Sequence, residues 1–174
     1  MKKLLVLILF SLFIFIGSTN SEDYTGTAQV MVSVATFFEV NVDRQLIDFN
    51  QMKPGETKEY APNDEGVKVS CKSNTGNPWF LKIHDEQDLT DGNNYIPNSN
   101  FFWYGNKGSN ASGIWHGNGR DNFTTEPVQA YSAGADEYNN LPDGTDLFFK
   151  FKLQIPQKQP KGVYKTAIVF TLTE

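Results

Sequence analysis

The chain has 174 residues, with 15 Lys+Arg, 20 Asp+Glu and a single Cys, which is the length of one ordinary domain. Its 39% hydrophobic and 14% aromatic content excludes a disordered chain, and 14 Gly with 8 Pro argue against long helices. The acidic balance, with Lys and Arg scattered among carboxylates, speaks against a nucleic-acid partner, because phosphate neutralisation needs clustered cations.

Residues 1–21 have the pattern of a secretory signal peptide. Lys2 and Lys3 form the charged start, residues 4–16 are apolar apart from Ser11, and residues 17–21 are small and polar. An apolar run of that length makes about 20 Å of helix, short of the roughly 30 Å hydrocarbon core, so cleavage is expected and no membrane span remains after it. The mature chain would be residues 22–174, secreted or held at the cell surface as one domain.

The mature sequence reads as strands bounded by Gly, Pro, Asn and Asp, with no sustained helical period. Val30, Val32 and Val34 begin an alternating run that continues through Phe37 to Val42. Ile47 and Phe49 mark a short strand before the Lys53-Pro54-Gly55-Glu56 turn. Val67, Val69 and Cys71 alternate with polar neighbours, as do Trp79, Leu81 and Ile83, and the two stretches read as adjacent strands with one face inward. Residues 85–140 loosen into polar sequence with embedded aromatics, read as hairpins and long loops at one end of the molecule. Leu147, Phe149, Phe151, Leu153 and Ile155 then share one strand face, and Tyr164, Thr166, Ile168, Phe170 and Leu172 share another. These last two strands are the expected centre of the core. The fold class that follows is all-β, an antiparallel β-sandwich of Ig-like or jelly-roll-like type. A lone Cys71 in phase with Val67 and Val69 is expected to be a small buried residue.

Three segments carry a family likeness. Leu46-Ile47-Asp48-Phe49 is an early apolar strand, Trp79-Phe80-Leu81 is a W-x-L triplet, and Gly162-Val163-Tyr164 leads into a closing strand with Phe170 and Leu172. In this order they resemble the WxL domain of bacterial cell-surface proteins, a β-rich module that associates non-covalently with the cell wall. Asn50 stands where that family usually has Gly, and Phe170 where it has a second Trp. The resemblance implies that Trp79, Leu81, Tyr164, Phe170 and Leu172 are motif residues, and that the partner is cell-wall polysaccharide, peptidoglycan or another surface protein. The closing strand is also similar to that of spore-coat-U-like and other fimbrial β-sandwich subunits, which implies assembly into a fibre by strand exchange.

Candidates for chemistry are few. His84 opens an acidic run through Asp88, and His116 lies between Trp115 and Gly117, but neither has the spacing that sets two ligands on one helical face. The turns around Asp88-Leu89-Thr90-Asp91-Gly92 and Asp143-Gly144-Thr145-Asp146 lack the twelfth-position Glu of an EF-hand and read as Asx and Gly turns. No catalytic residue, metal ligand or cofactor site is therefore expected. The aromatic loops are the best binding feature: Trp103, Tyr104, Trp115 and His116, interleaved with Asn106, Asn110, Asn118 and Asp121, combine flat apolar faces with hydrogen-bonding groups. They suit a carbohydrate-binding module or a protein contact, and each ring also suits a place in the core. The expectation is a non-enzymatic cell-surface sandwich.

Overall fold

The computed structural model describes residues 28–117, 119 and 121–174; residues 1–21, expected to be a signal peptide, and Asn118 lie outside these described residues. The chain divides into two units, Met1–Val34 and Ala35–Glu174. Of the first, residues 28–34 are described, and they form no strand. Val30, Val32 and Val34 are 80–95% exposed there.

The second unit is an antiparallel β-sandwich. Its strands are β1 (Phe38–Val42), β2 (Thr57–Tyr60), β3 (Val67–Ser73), β4 (Phe80–Asp85), β5 (Leu89–Thr90), β6 (Tyr95–Ile96), β7 (Phe101–Lys107), β8 (Ile114–Trp115), β9 (Asp121–Asn122), β10 (Val128–Ser132), β11 (Thr145–Gln154) and β12 (Ile168–Thr173). One sheet runs β1-β3-β11-β7-β9, with β2 following β3 along the same edge of β11. The other runs β12-β4-β10-β8, and β5 pairs with β6.

The ten residues of β11 alternate almost without fault between buried and half-buried. Leu147, Phe149, Phe151 and Leu153 point inward and Phe148, Lys150 and Lys152 outward, which is the period-2 signature of a strand with one face in the core. Rings join the sheets: Phe149 lies 4.9 Å from Phe170 of β12 and 5.1 Å from Trp115 of β8. Phe101 stacks on Phe123 at 4.3 Å.

Several expectations need correction. β3 and β4 are not neighbours; they lie in opposite sheets, β3 beside β1 and β11, β4 between β12 and β10. Alternation reports which residues face inward and is silent on which strand lies alongside. The region read as hairpins and long loops at one end supplies β7, the seven-residue neighbour of β11, and β10, the neighbour of β4, both inside the sheets. The alternating run before β1 does not extend the strand, since β3 ends at Ser73, the partner of Phe38. Ile47 and Phe49 form no strand either, because Asp48 Oδ1 accepts the Asn50 N–H at 2.7 Å and Asn50 turns to φ +57°. Phe49 still packs on Phe101, 6.2 Å away. β12 begins only at Ile168, whose partner Asp85 is the last residue of β4, and it is half-buried throughout. β11 is central as expected; β12 is an edge.

Candidate functional site

The side of the sandwich where the chain crosses from β8 to β9 holds a recess of about 310 Å³, near the lower end of the range for small-molecule sites. Trp103, His116, Asp121, Asn122, Val128 and Gln129 line it. All of these but His116, which follows β8, are fixed by a strand. Trp103 is an inward residue of β7, Asp121 and Asn122 form β9 beside it, and Val128 and Gln129 begin β10.

The β10 register slips between Gln129 and Tyr131 where it pairs with β4. Ala130 and Tyr131 are both buried as a result, a bulge that re-aims the flanking side chains. Gln129 and Ser132 then meet the histidine: Gln129 Nε2 donates to Ser132 Oγ at 2.8 Å, and His116 Nε2 lies 2.6 Å from Ser132 Oγ and 3.1 Å from Gln129 Nε2. The Gln129 amide nitrogen can only donate, so its contact makes His116 Nε2 an acceptor, Ser132 Oγ donates to it as well, and the network assigns the Nδ1–H tautomer.

Trp103 is 2% exposed, and its Nε1 has no hydrogen-bond partner. It sits edge to face against Trp115 at 6.1 Å and tilted against Phe149 at 5.9 Å. The loop closes tightly over this pair: a Cβ at Gly117 would come 2.6 Å from Trp115 Nε1 and 3.0 Å from Trp103 Cζ3, so only glycine passes. A buried donor without an acceptor is uncommon in folded proteins. Here it belongs to a residue that lines an open recess.

The aromatic residues singled out from the sequence therefore separate. Trp103 is a core ring that lines the recess, Trp115 is half-buried between Trp103 and Phe149, and His116 is exposed at the rim. Tyr104 lies on the outer face of the sheet, opposite Lys150. Of the motif residues, Trp79 and Leu81 are fully buried, and Trp79 Nε1 donates to Glu137 O at 3.0 Å. Leu172 pairs with Leu81, and Tyr164 donates its hydroxyl proton to Pro160 O. Val128, Gln129 and Ser132 carried no sequence signal, since a strand bulge brings them to the site.

A second polar assembly lies beneath the loops. Glu137 is 3% exposed and accepts from Ser112 N, Gly113 N, Tyr131 Oη, Gly134 N and Thr145 Oγ1. The contact to Gly134 is the reach-back half of a capping box, legible in Gly134-x-x-Glu137. Burial first, then Glu137, push the Tyr131 phenol pKa up. Burial likewise pushes up the Cys71 thiol, with Glu137 and Asp146 adding to it. Both groups are thus held neutral, and neither is poised as a nucleophile.

The acidic turns cap themselves. Asp91 Oδ1 accepts from Asn93 N and Asn94 N, and Gly144 N donates to Asn140 O. Among the described residues no group of three or more His, Cys, Asp or Glu side chains is placed to hold a metal ion, and no helix is long and apolar enough to cross a membrane. Compared with known proteins, the chain matches no family model and no curated relative.

Proposed function

We propose that the chain is an exported, non-catalytic β-sandwich of the bacterial cell surface that holds a wall glycan in the recess beside Trp103. The observation that carries this is the recess itself, in which the apolar surfaces of Trp103 and Val128 are set among the carboxylate of Asp121, the amides of Asn122 and Gln129, and the ring of His116. Donors and acceptors set around an apolar floor suit a polyhydroxylated ligand. The leader-like residues 1–21 and the WxL-like landmarks support the same place and partner.

The test uses Gln129→Ala, which removes an exposed amide that lines the recess and leaves the Trp103 ring in place. Purified peptidoglycan and wall polysaccharide should retain the native protein, and the variant should bind about tenfold more weakly, the worth of one hydrogen bond. Its melting temperature should change little beside that of Trp103→Ala. Absence of retention in salt-matched sedimentation would remove the proposal.

A second reading, a fibre subunit, is favoured by one observation. Val30, Val32 and Val34 alternate along an exposed segment, the form of strand that adds to an open sheet edge. Heat-labile ladders on a denaturing gel, lost on deletion of residues 28–34, would support it, and a monodisperse monomer would overturn it.

A further inference from the structure

Asp85 ends β4, and Asn98 opens the Asn98–Asn100 turn that leads into β7. Asn98 Nδ2 donates to Asp85 Oδ1 at 2.8 Å, and Asn98 N donates to Asp88 Oδ1 at 2.8 Å. Asp85 is fully buried, yet its Oδ2 has no partner, and neither has Asn98 Oδ1. Two acceptors on side chains already joined by one hydrogen bond both lack a donor.

Water, a cation and a proton can each satisfy such a pair, and water leaves the buried charge in place. Calcium takes six to eight oxygens, whereas this corner has two free ones, and Asp88 Oδ1 is occupied by Asn98 N. A single proton on Asp85 Oδ2 removes the buried charge and supplies the missing donor. Carboxyl and carboxamide can then exchange two hydrogen bonds, Asn98 Nδ2–H to Asp85 Oδ1 and Asp85 Oδ2–H to Asn98 Oδ1.

We propose that Asp85 is held as the neutral acid, and that the Asp85–Asn98 pair is a buried proton site that clamps the Asn98–Asn100 turn when protonated and releases it when ionised. The elements around Asp85 bring little countercharge. Ile168 of β12 pairs with it, Thr124 O accepts its N–H, and the turn facing it is Asn98-Ser99-Asn100. The titratable groups nearby are His84 before it, Glu86 after it and Asp88 at the corner. Burial is the largest influence and raises the Asp85 pKa, the Asn98 hydrogen bond opposes it, Asp88 raises it further and His84 lowers it. The clamp also reaches the recess wall, because Asn98 O accepts from Asn122 Nδ2 at 3.3 Å, but its test needs no ligand.

The experiment compares native protein with Asp85→Asn in chemical unfolding from about pH 4, near the ordinary Asp value, upward. A raised folded pKa means that the stabilisation is complete below the unfolded pKa and is lost as pH rises through the folded one. The native protein should therefore lose stability relative to Asp85→Asn by up to about tenfold in the unfolding constant per pH unit across that interval. Parallel pH profiles would overturn the proposal. So would calcium raising the melting temperature of the native protein and not of the variant. Should Asp85→Asn fail to fold, infrared spectra of native protein labelled with ¹³C-Asp decide the matter: a protonated-carboxyl band persisting above the ordinary Asp value is expected, and its absence sinks the idea.

Discussion

Glu137 and Asp85 bring the same chemical group into the interior and meet opposite surroundings. Glu137 receives donors from two loops and two strands, whereas Asp85 receives one side-chain donor and keeps one oxygen bare. The difference lies in where each sits. Glu137 follows Gly134 in a turn whose first N–H reaches its side chain, and Ser112 N and Gly113 N converge on it from a second loop. Asp85 continues the inward row of Leu81 and Ile83, at a place where alternation demands an apolar residue. A buried carboxylate is thus a rivet in one place and a proton site in the other, according to the donors that the backbone happens to present.

The largest effect is expected at the rivet. Glu137→Ala strips the acceptor from several buried donors at once, and donors to a charged group are individually worth about 1.5–3 kcal/mol. Chemical denaturation should show a loss of about 3–5 kcal/mol. A loss under about 1 kcal/mol would mean that water replaces the carboxylate, and that the two buried acids are less different than their partners suggest.

Tyr131→Phe sharpens the comparison from the donor side. The hydroxyl accepts from Gly113 N at 2.7 Å and donates to Glu137 at 2.8 Å, so its removal should cost about 1–2 kcal/mol near neutral pH. The folded phenol pKa is raised by burial and by Glu137. Its contribution is therefore complete below the unfolded value of about 10 and is lost as pH climbs through the folded one. In alkaline melting curves the native protein should lose its advantage over the variant. If the gap between them stays constant, Tyr131 does not titrate with folding.

How much of this was legible depends on whether a residue's role is set by its neighbours in sequence or in space. β11 could be read because Leu147, Phe149, Phe151 and Leu153 alternate with polar or solvent-facing residues along its whole length. β7 could not: Phe101-Phe102-Trp103-Tyr104 is aromatic on both faces, so the period is invisible although Phe101 and Trp103 are buried and Phe102 and Tyr104 are not. Trp103 and His116 were legible as binding candidates, but the difference between a stacking ring and a core ring with one polar edge is made by Trp115, Phe149 and Gly117 closing over it. Gln129 and Ser132 come to His116 through a register slip that no local pattern marks. Asp85 was visible as part of an acidic run, and its burial was not, because Asn98, Thr124 and Ile168 arrive from three other segments.

Cys71 reports on the rivet side without altering it. The thiol is buried and its pKa is pushed up by desolvation, Glu137 and Asp146, so thiolate is scarce and access is closed. Labelling by a thiol reagent should follow global unfolding. Fast labelling of the native protein would show that the β3 and β11 pairing opens locally and that the ground beneath Glu137 is softer than its hydrogen bonds imply.

The smallest effect is expected where a carboxylate faces water. Asp146 lies on the outer face of β11, 3.6 Å from Lys68 Nζ, with both side chains partly exposed. Solvent screens such a pair, and holding a lysine in one geometry costs rotamer freedom, so Lys68→Ala should cost less than about 1 kcal/mol and less still in high salt. Asp146 would keep an acceptor role toward Ser70 Oγ, which leaves no orphan behind. If instead the loss approaches that of Glu137→Ala, the outer face of this sheet is covered in the working assembly. The contrast would then be between covered and open surfaces, and no longer between one buried acid and another.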